Sequence, residues 1–263
     1  MYTQFGLVIV GDEILSGRRT DKHLAHIAQS LSSRGLNLAW ARYVGDQPAA
    51  QTALYRETMA SDQIVISCGG IGATPDDHTR QSAAAAADVP LIAHPEATAI
   101  IVGKFGDAAY PNRVKMAEFP AGATLIPNPV NQIAGFSLGH HHFVPGFPDM
   151  AWPMVDWVLD SYYSHLFSEW VQIGCIVPEA KEGDLIPVME TLVKDHPGIL
   201  FSCLPSYGNE RQSGMHIEFT IRGQSTQAAI AYLWLETQLK GMQYTVRPIA
   251  AVTLGRTPGT TAA

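Results

Sequence analysis

The chain has 263 residues, of which 46% are hydrophobic and 16% charged, with a formal net charge of −7. This length accommodates one large domain or two ordinary ones with ample core, and the acidic balance, without any block of Lys or Arg, excludes a groove that grips nucleic acid by neutralising phosphates. No apolar run is long enough for a bilayer and no signal peptide is visible, so the expected setting is the cytoplasm, with Cys68, Cys175 and Cys203 as reduced thiols.

In chain order, Phe5–Val10 reads as a buried strand and Thr20–Arg34 as a helix, with Leu24, Ile27, Ala28 and Leu31 on one face and Gly35 at its end. Leu36–Val44 is a second strand, Gln47–Ala60 a helix, and Gln63–Cys68 a third strand. Alternation at these lengths predicts a parallel sheet covered on both faces, which binds ligands at the carboxyl ends of its strands. Next come an alanine-rich helix over Thr79–Ala87, a helix from Pro95 and a short one around Asn112–Phe119. Short strands over Thr124–Pro127, Gly135–Leu138 and His141–Val144 follow, and then a helix over Met150–Tyr163 whose Trp152 and Trp157 read as core.

From about His165 the pattern becomes β-α-β-β-α: Trp170–Val177, Asp184–Lys194, Ile199–Leu204, Met215–Arg222 and Ser225–Leu239. Pro187 reads as first-turn, and Ile230, Leu233, Trp234 and Thr237 align along the last helix. The fold class is therefore α/β, a mostly parallel sheet followed by a small α+β domain whose sheet is antiparallel in part. The expected boundaries are 1–164, 165–250 and a disordered tail over 251–263, Gly/Thr/Ala-rich from Thr253.

The chemistry concentrates where the third strand ends, in Ser67-Cys-Gly-Gly-Ile-Gly-Ala-Thr-Pro-Asp-Asp77. Gly69, Gly70 and Gly72 let backbone approach a ligand and present N–H groups to an anion. Thr74 or Asp76 is positioned to cap the next helix, whose positive end then faces the same anion. Asp76 and Asp77 are hard oxygen donors suited to Mg²⁺. Asp12 and Glu13, in Gly11–Gly17 after the first strand, reach the same sheet edge and suit a metal or a ribose hydroxyl. Asp46 follows the second strand and reads as a helix cap on that edge, while Pro145-Gly146-Phe147-Pro148-Asp149 is a rigid turn that can aim the Gly146 N–H at the ligand and Asp149 at a metal. Asn112, Arg113 and Lys115 start a short helix and offer charge for a phosphate. In His140-His-His142 the outer pair shares a strand face while His141 points away, without carboxylate or Cys at ligand spacing, which argues against a transition metal.

These motifs, in this order, resemble the molybdopterin-binding (MoaB/Mog-like) domain family, and within it the N-terminal region of the competence/damage-inducible CinA proteins. The resemblance rests on Gly11-Asp12-Glu13, Val44-Gly45-Asp46, Gly69–Gly72 with Thr74, Asp76 and Asp77, Asn112-Arg113, Asn128-Pro129 and Pro145–Pro148, and it extends into the small domain through His196-Pro197 and Ser206-Tyr207-Gly208. The chain departs from the family pattern at Ala73, where Pro is common, over Asn131–Gly135, and at Asp149, where Glu is usual. The deamidase domain that follows in full-length CinA proteins has no counterpart among these residues, so that activity is not expected.

The resemblance implies a three-layer Mog-like domain followed by a CinA-linker-like domain, and a homo-oligomer. Its activity would be divalent-metal-dependent (Mg, Mn or Co) hydrolysis of the pyrophosphate of ADP-ribose-like nucleotides. Glu13, Asp76 and Asp77 would hold the metal, with Asp46 or Asp12 orienting water or binding a ribose. Gly69, Gly70, Gly72, Thr74, Asn112, Pro145 and Gly146 would line the phosphate site. The alternative is a non-catalytic module that holds molybdopterin or a nucleotide.

Overall fold

The computed structural model describes residues 4–255. Contacts divide the described chain into two compact units, one of residues 4–32 and 36–166, the other of 33–35 and 167–255.

The larger unit opens with strand β1 (Phe5–Val10), helical turn α1 (Asp12–Leu15) and helix α2 (His23–Ser32), then β2 (Leu38–Val44), α3 (Pro48–Met59) and β3 (Ile64–Cys68). It continues with α4 (Thr79–Ala86), β4 (Leu91–Ala93), α5 (Pro95–Phe105), β5 (Glu118–Pro120), β6 (Thr124–Ile126), β7 (Gly135–Leu138), β8 (His141–Val144) and α6 (Pro148–Tyr162). Six strands form one sheet in the order β2-β1-β3-β8-β7-β6. The first four are parallel, and β7 and β6 add antiparallel at one edge.

Every residue of β1 and β3 is buried, as expected of central parallel strands. Adjacent residues of β8 show what covers each face: His141 bonds Thr58 of α3, and His142 bonds Tyr163 just after α6, so these helices lie on opposite faces. The core beneath α3 and α5 includes Val8, Tyr55, Val65, Phe119, Phe136 and Phe143, with Phe136 stacked on Phe143 at 4.5 Å between centroids.

Several sequence expectations are corrected here. Helix α2 begins at His23 because Asp21 accepts the N–H groups of His23 and Leu24, at 2.8 and 3.1 Å, and Leu24 is exposed. The segment expected as a helix over 112–119 is a 3₁₀ turn, Arg113–Ala117, leading into β5, which pairs with the unanticipated β4. Trp157 is half-exposed, and the buried face of α6 is Ala151, Met154, Val155, Val158 and Leu159.

The smaller unit comprises β9 (Glu169–Pro178), α7 (Glu182–Asp195), β10 (Leu200–Ser206), β11 (His216–Gly223), α8 (Ser225–Gly241) and β12 (Arg247–Gly255). Its sheet runs β10-β11-β9-β12 with every adjacent pair antiparallel, a split β-α-β arrangement closed by a strand missing from the sequence reading. Residues 251–255 thus belong to β12 rather than to a tail, because they pair with β9, and 256–263 lie outside the described residues. Helix α8 turns its small residues inward: Ala228, Ala231, Tyr232, Leu235 and Leu239 are buried, whereas Ile230 and Leu233 are exposed. Helix α7 starts two residues earlier than expected, so Pro187 lies beyond its first turn, and the i−4 carbonyl to which it cannot donate belongs to the exposed Gly183.

Candidate functional site

Four loops leave the parallel strands at their carboxyl ends. The N–H of Gly11 donates to Val44 O and that of Gly69 to Val144 O, each at 3.0 Å, so the ladder runs one residue past the strands before the loops diverge. Gly69 and Gly70 then take φ of +109° and +68°. A Cβ on Gly69 would stand 2.5 Å from Val10 O, and one on Gly70 would stand 2.4 Å from Thr79 Oγ1. Only glycine fits this path.

The loop is anchored through its carbonyls. Thr79 Oγ1 donates to Gly69 O at 2.9 Å and Thr79 N to Gly70 O at 3.0 Å. The guanidinium of Arg80, 2% exposed, donates to Gly72 O at 2.6 Å, to Glu118 O at 3.1 Å and to Lys115 O. Burial lowers the Arg80 pKa, and nearby Glu118 and Asp77 counter it. With the carbonyls held from behind, the N–H groups of Gly70, Ile71, Gly72 and Ala73 make no protein hydrogen bond among the described residues. Four such groups in succession beside the start of α4 are donors of the kind that bind oxyanions. Beneath it Tyr55 OH meets Ser67 Oγ at 2.8 Å, and burial pushes the tyrosine pKa up to about 12.

The acidic residues take different parts from those expected. Asp77 Oδ2 accepts the N–H of Thr74 at 2.8 Å and the Thr74 hydroxyl, closing a turn within the loop. Neither Thr74 nor Asp76 caps α4; His78 holds the cap position without a side-chain bond. Nor does Asp46 cap α3. It forms a reciprocal pair with Asp12, in which Asp12 N donates to Asp46 Oδ2 at 3.0 Å and Asp46 N to Asp12 Oδ1 at 3.3 Å. Gly45 makes room for this pair, since a Cβ there would meet Asp12 Oδ1 at 2.3 Å. The Asp46 pKa is raised, first by burial and then by the carboxylates of Asp12, Glu13 and Asp76, against the Asp12 N–H that lowers it. Asp76 is lowered, mainly by Thr74.

Among the described residues, no group of three or more His, Cys, Asp and Glu side chains could hold a metal ion. Glu13, Asp76 and Asp77 therefore do not assemble as a ligand set: Asp77 is turned to Thr74, and Glu13 faces Arg19 at 3.9 Å. The side chains alone therefore form no cation site of three or more ligands among the described residues.

Gly146 abuts the glycine loop; a Cβ on it would lie 3.3 Å from Gly69 Cα. Its carbonyl, however, accepts from His23 Nε2 at 3.2 Å, so the Pro145-Gly146 turn is tied to α2. Beside it opens a cleft of about 240 Å³ whose walls include Ile9, Ile14, His23, Gly146, Phe147 and Pro148, with Arg19 and Lys22 also on its lining. Asn112 accepts from Lys115 Nζ at 3.2 Å, and Arg113 donates to Ala108 O at 2.6 Å, so these polar groups are engaged locally. Asp149 is exposed in the first turn of α6. Cys68 is fully buried, and burial raises its pKa far above neutrality, which removes it as a nucleophile.

Three contributors escaped the sequence reading: Thr79, Arg80 and His23. An available signal for Arg80 was its place near the start of a short alanine-rich helix, where a long cation on a packed face needs buried acceptors.

Comparison with known proteins agrees with this geometry. Residues 6–165 match the family model described as "Probable molybdopterin binding domain". A CinA-like protein of Anaeromyxobacter sp. (strain Fw109-5) is 28% identical over 237 residues, covering 86% of this chain and 56% of that protein. One from Geotalea uraniireducens (strain Rf4) is 35% identical over 154 residues, covering 56% and 37% respectively. The chain thus spans about half or less of the length of these two curated relatives. The crystal structure of the protein CinA from Thermoplasma acidophilum, itself described as of unknown function, is 29% identical with a TM-score of 0.56, covering 61% of this chain and 99% of that one. The sheet-edge glycine loop and the family match together show that this chain belongs to the molybdopterin-binding domain family and is similar to CinA-like proteins.

Proposed function

We propose that this chain binds a phosphate-bearing pterin or nucleotide at the carboxyl edge of the parallel sheet, molybdopterin being the pterin that its family membership favours. The observation that carries this reading is the run of four unpartnered N–H groups, Gly70 to Ala73, beside the start of α4. Phosphate oxygens accept from them, while Asp12 and Asp46 remain for N–H or hydroxyl donors elsewhere on the ligand. Calorimetric titration of the purified chain with molybdopterin and with ADP-ribose tests it. Submicromolar to micromolar binding of one of them is expected, weakened about tenfold or more by Gly70→Ala, whose Cβ would collide with Thr79 Oγ1. Absence of binding by both ligands overturns the proposal.

One observation favours a second reading, hydrolysis of the ligand's pyrophosphate. Asp46 lies at the carboxyl edge of the sheet beside Asp12, with a pKa that burial and the carboxylates of Asp12, Glu13 and Asp76 raise, which suits a group that takes up a proton during hydrolysis. Incubation with ADP-ribose and Mg²⁺, Mn²⁺ or Co²⁺ should then release AMP, and Asp46→Asn should abolish release while sparing most binding. No AMP with any of these metals leaves the binding reading alone.

A further inference from the structure

The outer side of helix α5 carries a pattern that reads the same in both directions. Ala97 and Ile101 turn to the core, whereas Glu96, Ile100 and Lys104, spaced by four, form a row on the outer side. Both charged residues are exposed and Ile100 is half-buried. A groove runs between this row and the 127–134 loop, as two hollows that share Ile100 and Gln132 at a waist. The hollow at the Glu96 end, of about 560 Å³, has apolar walls from Ile100, Leu125, Pro127 and Ala134. The one at the Lys104 end, of about 410 Å³, carries Val130, which is 58% exposed. One end of the groove thus joins an acid to an apolar hollow, and the other joins a base to an apolar knob. Glu96 has no ion pair among the described residues. Lys104 Nζ donates to Asn131 O, which leaves two of its three hydrogens for another acceptor.

We propose that this face pairs with the same face of a second copy of the chain, across a two-fold axis near Ile100 and Gln132. A two-fold contact is isologous, so each end of the groove meets the opposite end of the other copy. With the two α5 helices antiparallel, Glu96 of each copy stands against Lys104 of the other, and each Val130 enters the other's hollow. The positive start of each helix then also lies by the negative end of its neighbour. Charge complementarity between the two ends selects a second copy as the occupant, because reversal brings each feature to its match. The buried apolar contacts supply the affinity, and the two exposed ion pairs fix the direction of pairing. Part of the wall is Asn131–Gly135, the stretch where this chain departs from its family's pattern. The face contains none of the glycine-loop residues, so this association stands apart from the ligand binding proposed above.

Sedimentation equilibrium on the full chain, from about 1 to 100 µM, tests this and should show a reversible dimer. Glu96→Lys alone and Lys104→Glu alone each place like charges at both symmetric contacts, and each should weaken the dimer about tenfold or more. The double variant restores opposite charges in reverse order and should recover most of that loss. Because both charges also complement the α5 dipole, Val130→Asp provides a variant off the helix, at an exposed position, and should weaken the dimer as well. A monomer at every concentration overturns the proposal. So does a dimer whose affinity these variants leave unchanged, since its interface then lies elsewhere. Failure of the double variant to recover what both single changes lose overturns the antiparallel pairing on which the proposal stands.

Discussion

Lowering the pH from 7 to 4.5 is expected to destabilise this protein by several kcal/mol, with His141 and His142 as the main cause. Both are buried, at 3% and 2% exposure, on opposite faces of the sheet. Burial holds them neutral, with pKa lowered from 6.5 to about 4 for His141 and about 3 for His142. In the unfolded chain both take up protons near 6.5, while the folded chain resists until its lower values are reached. The unfolded state therefore binds more protons throughout that interval, so stability falls as pH drops below about 6.5, and the loss is complete by about pH 4 for His141 and about pH 3 for His142. At about 1.4 kcal/mol per unit, His141 alone accounts for about 3 kcal/mol, a large share of the roughly 5–15 kcal/mol by which domains are stable. Urea unfolding at pH 7, 6, 5 and 4.5 should show the midpoint fall, and His141→Gln should flatten the slope by about one proton. An identical slope in that variant would falsify the assignment to His141.

The second large effect is expected from Arg80→Met. The substitution keeps much of the side-chain volume but leaves the carbonyls of Gly72, Lys115 and Glu118 without the guanidinium that donates to them. Hydrogen bonds from a charged donor contribute about 1.5–3 kcal/mol each, and these three are part-buried, so a loss of about 3–5 kcal/mol is expected in denaturant titration. Because Gly72 is one of the three, the loop should also loosen, and affinity for phosphate-bearing ligands should fall in the same variant. Arg80→Lys should recover only part of both, since one ammonium cannot span three carbonyls in the fixed fork geometry of guanidinium. Unfolding of Arg80→Met at the midpoint of the unaltered chain would rule this role out.

Much of the fold was legible because long-range structure and local pattern agree. The apolar runs Leu7–Val10 and Ile64–Ile66 demand burial on both sides, and the glycines after the second run have no use inside a strand. What escaped was decided by tertiary pairing. Strand β12 reads as a weak Thr/Ala-rich stretch and becomes a strand because β9 offers it an open edge. The buried face of α8 was misjudged because two alanines, which carry little hydrophobic weight, face the sheet while Ile230 and Leu233 face out.

At the candidate site the loop's position was readable, but the roles of its carboxylates were not. Asp77 looked like a free ligand until its bond to Thr74 was seen, and Asp12 and Asp46, 34 residues apart, gave no sign of their reciprocal bond. Hydrogen bonds across such separations depend on strand register, which sequence spacing does not encode.

The place of β12 in its sheet sets an order of events during synthesis. This strand is the last of the twelve, yet it pairs with β9, the first strand of the smaller unit. A ribosome must therefore deliver residue 255 before β9 gains its second neighbour, whereas every strand of the larger unit is available once Val144 has emerged. Until then β9 presents an unpaired edge to solvent and to other nascent chains, and that interval is when the smaller unit is most exposed to mispairing.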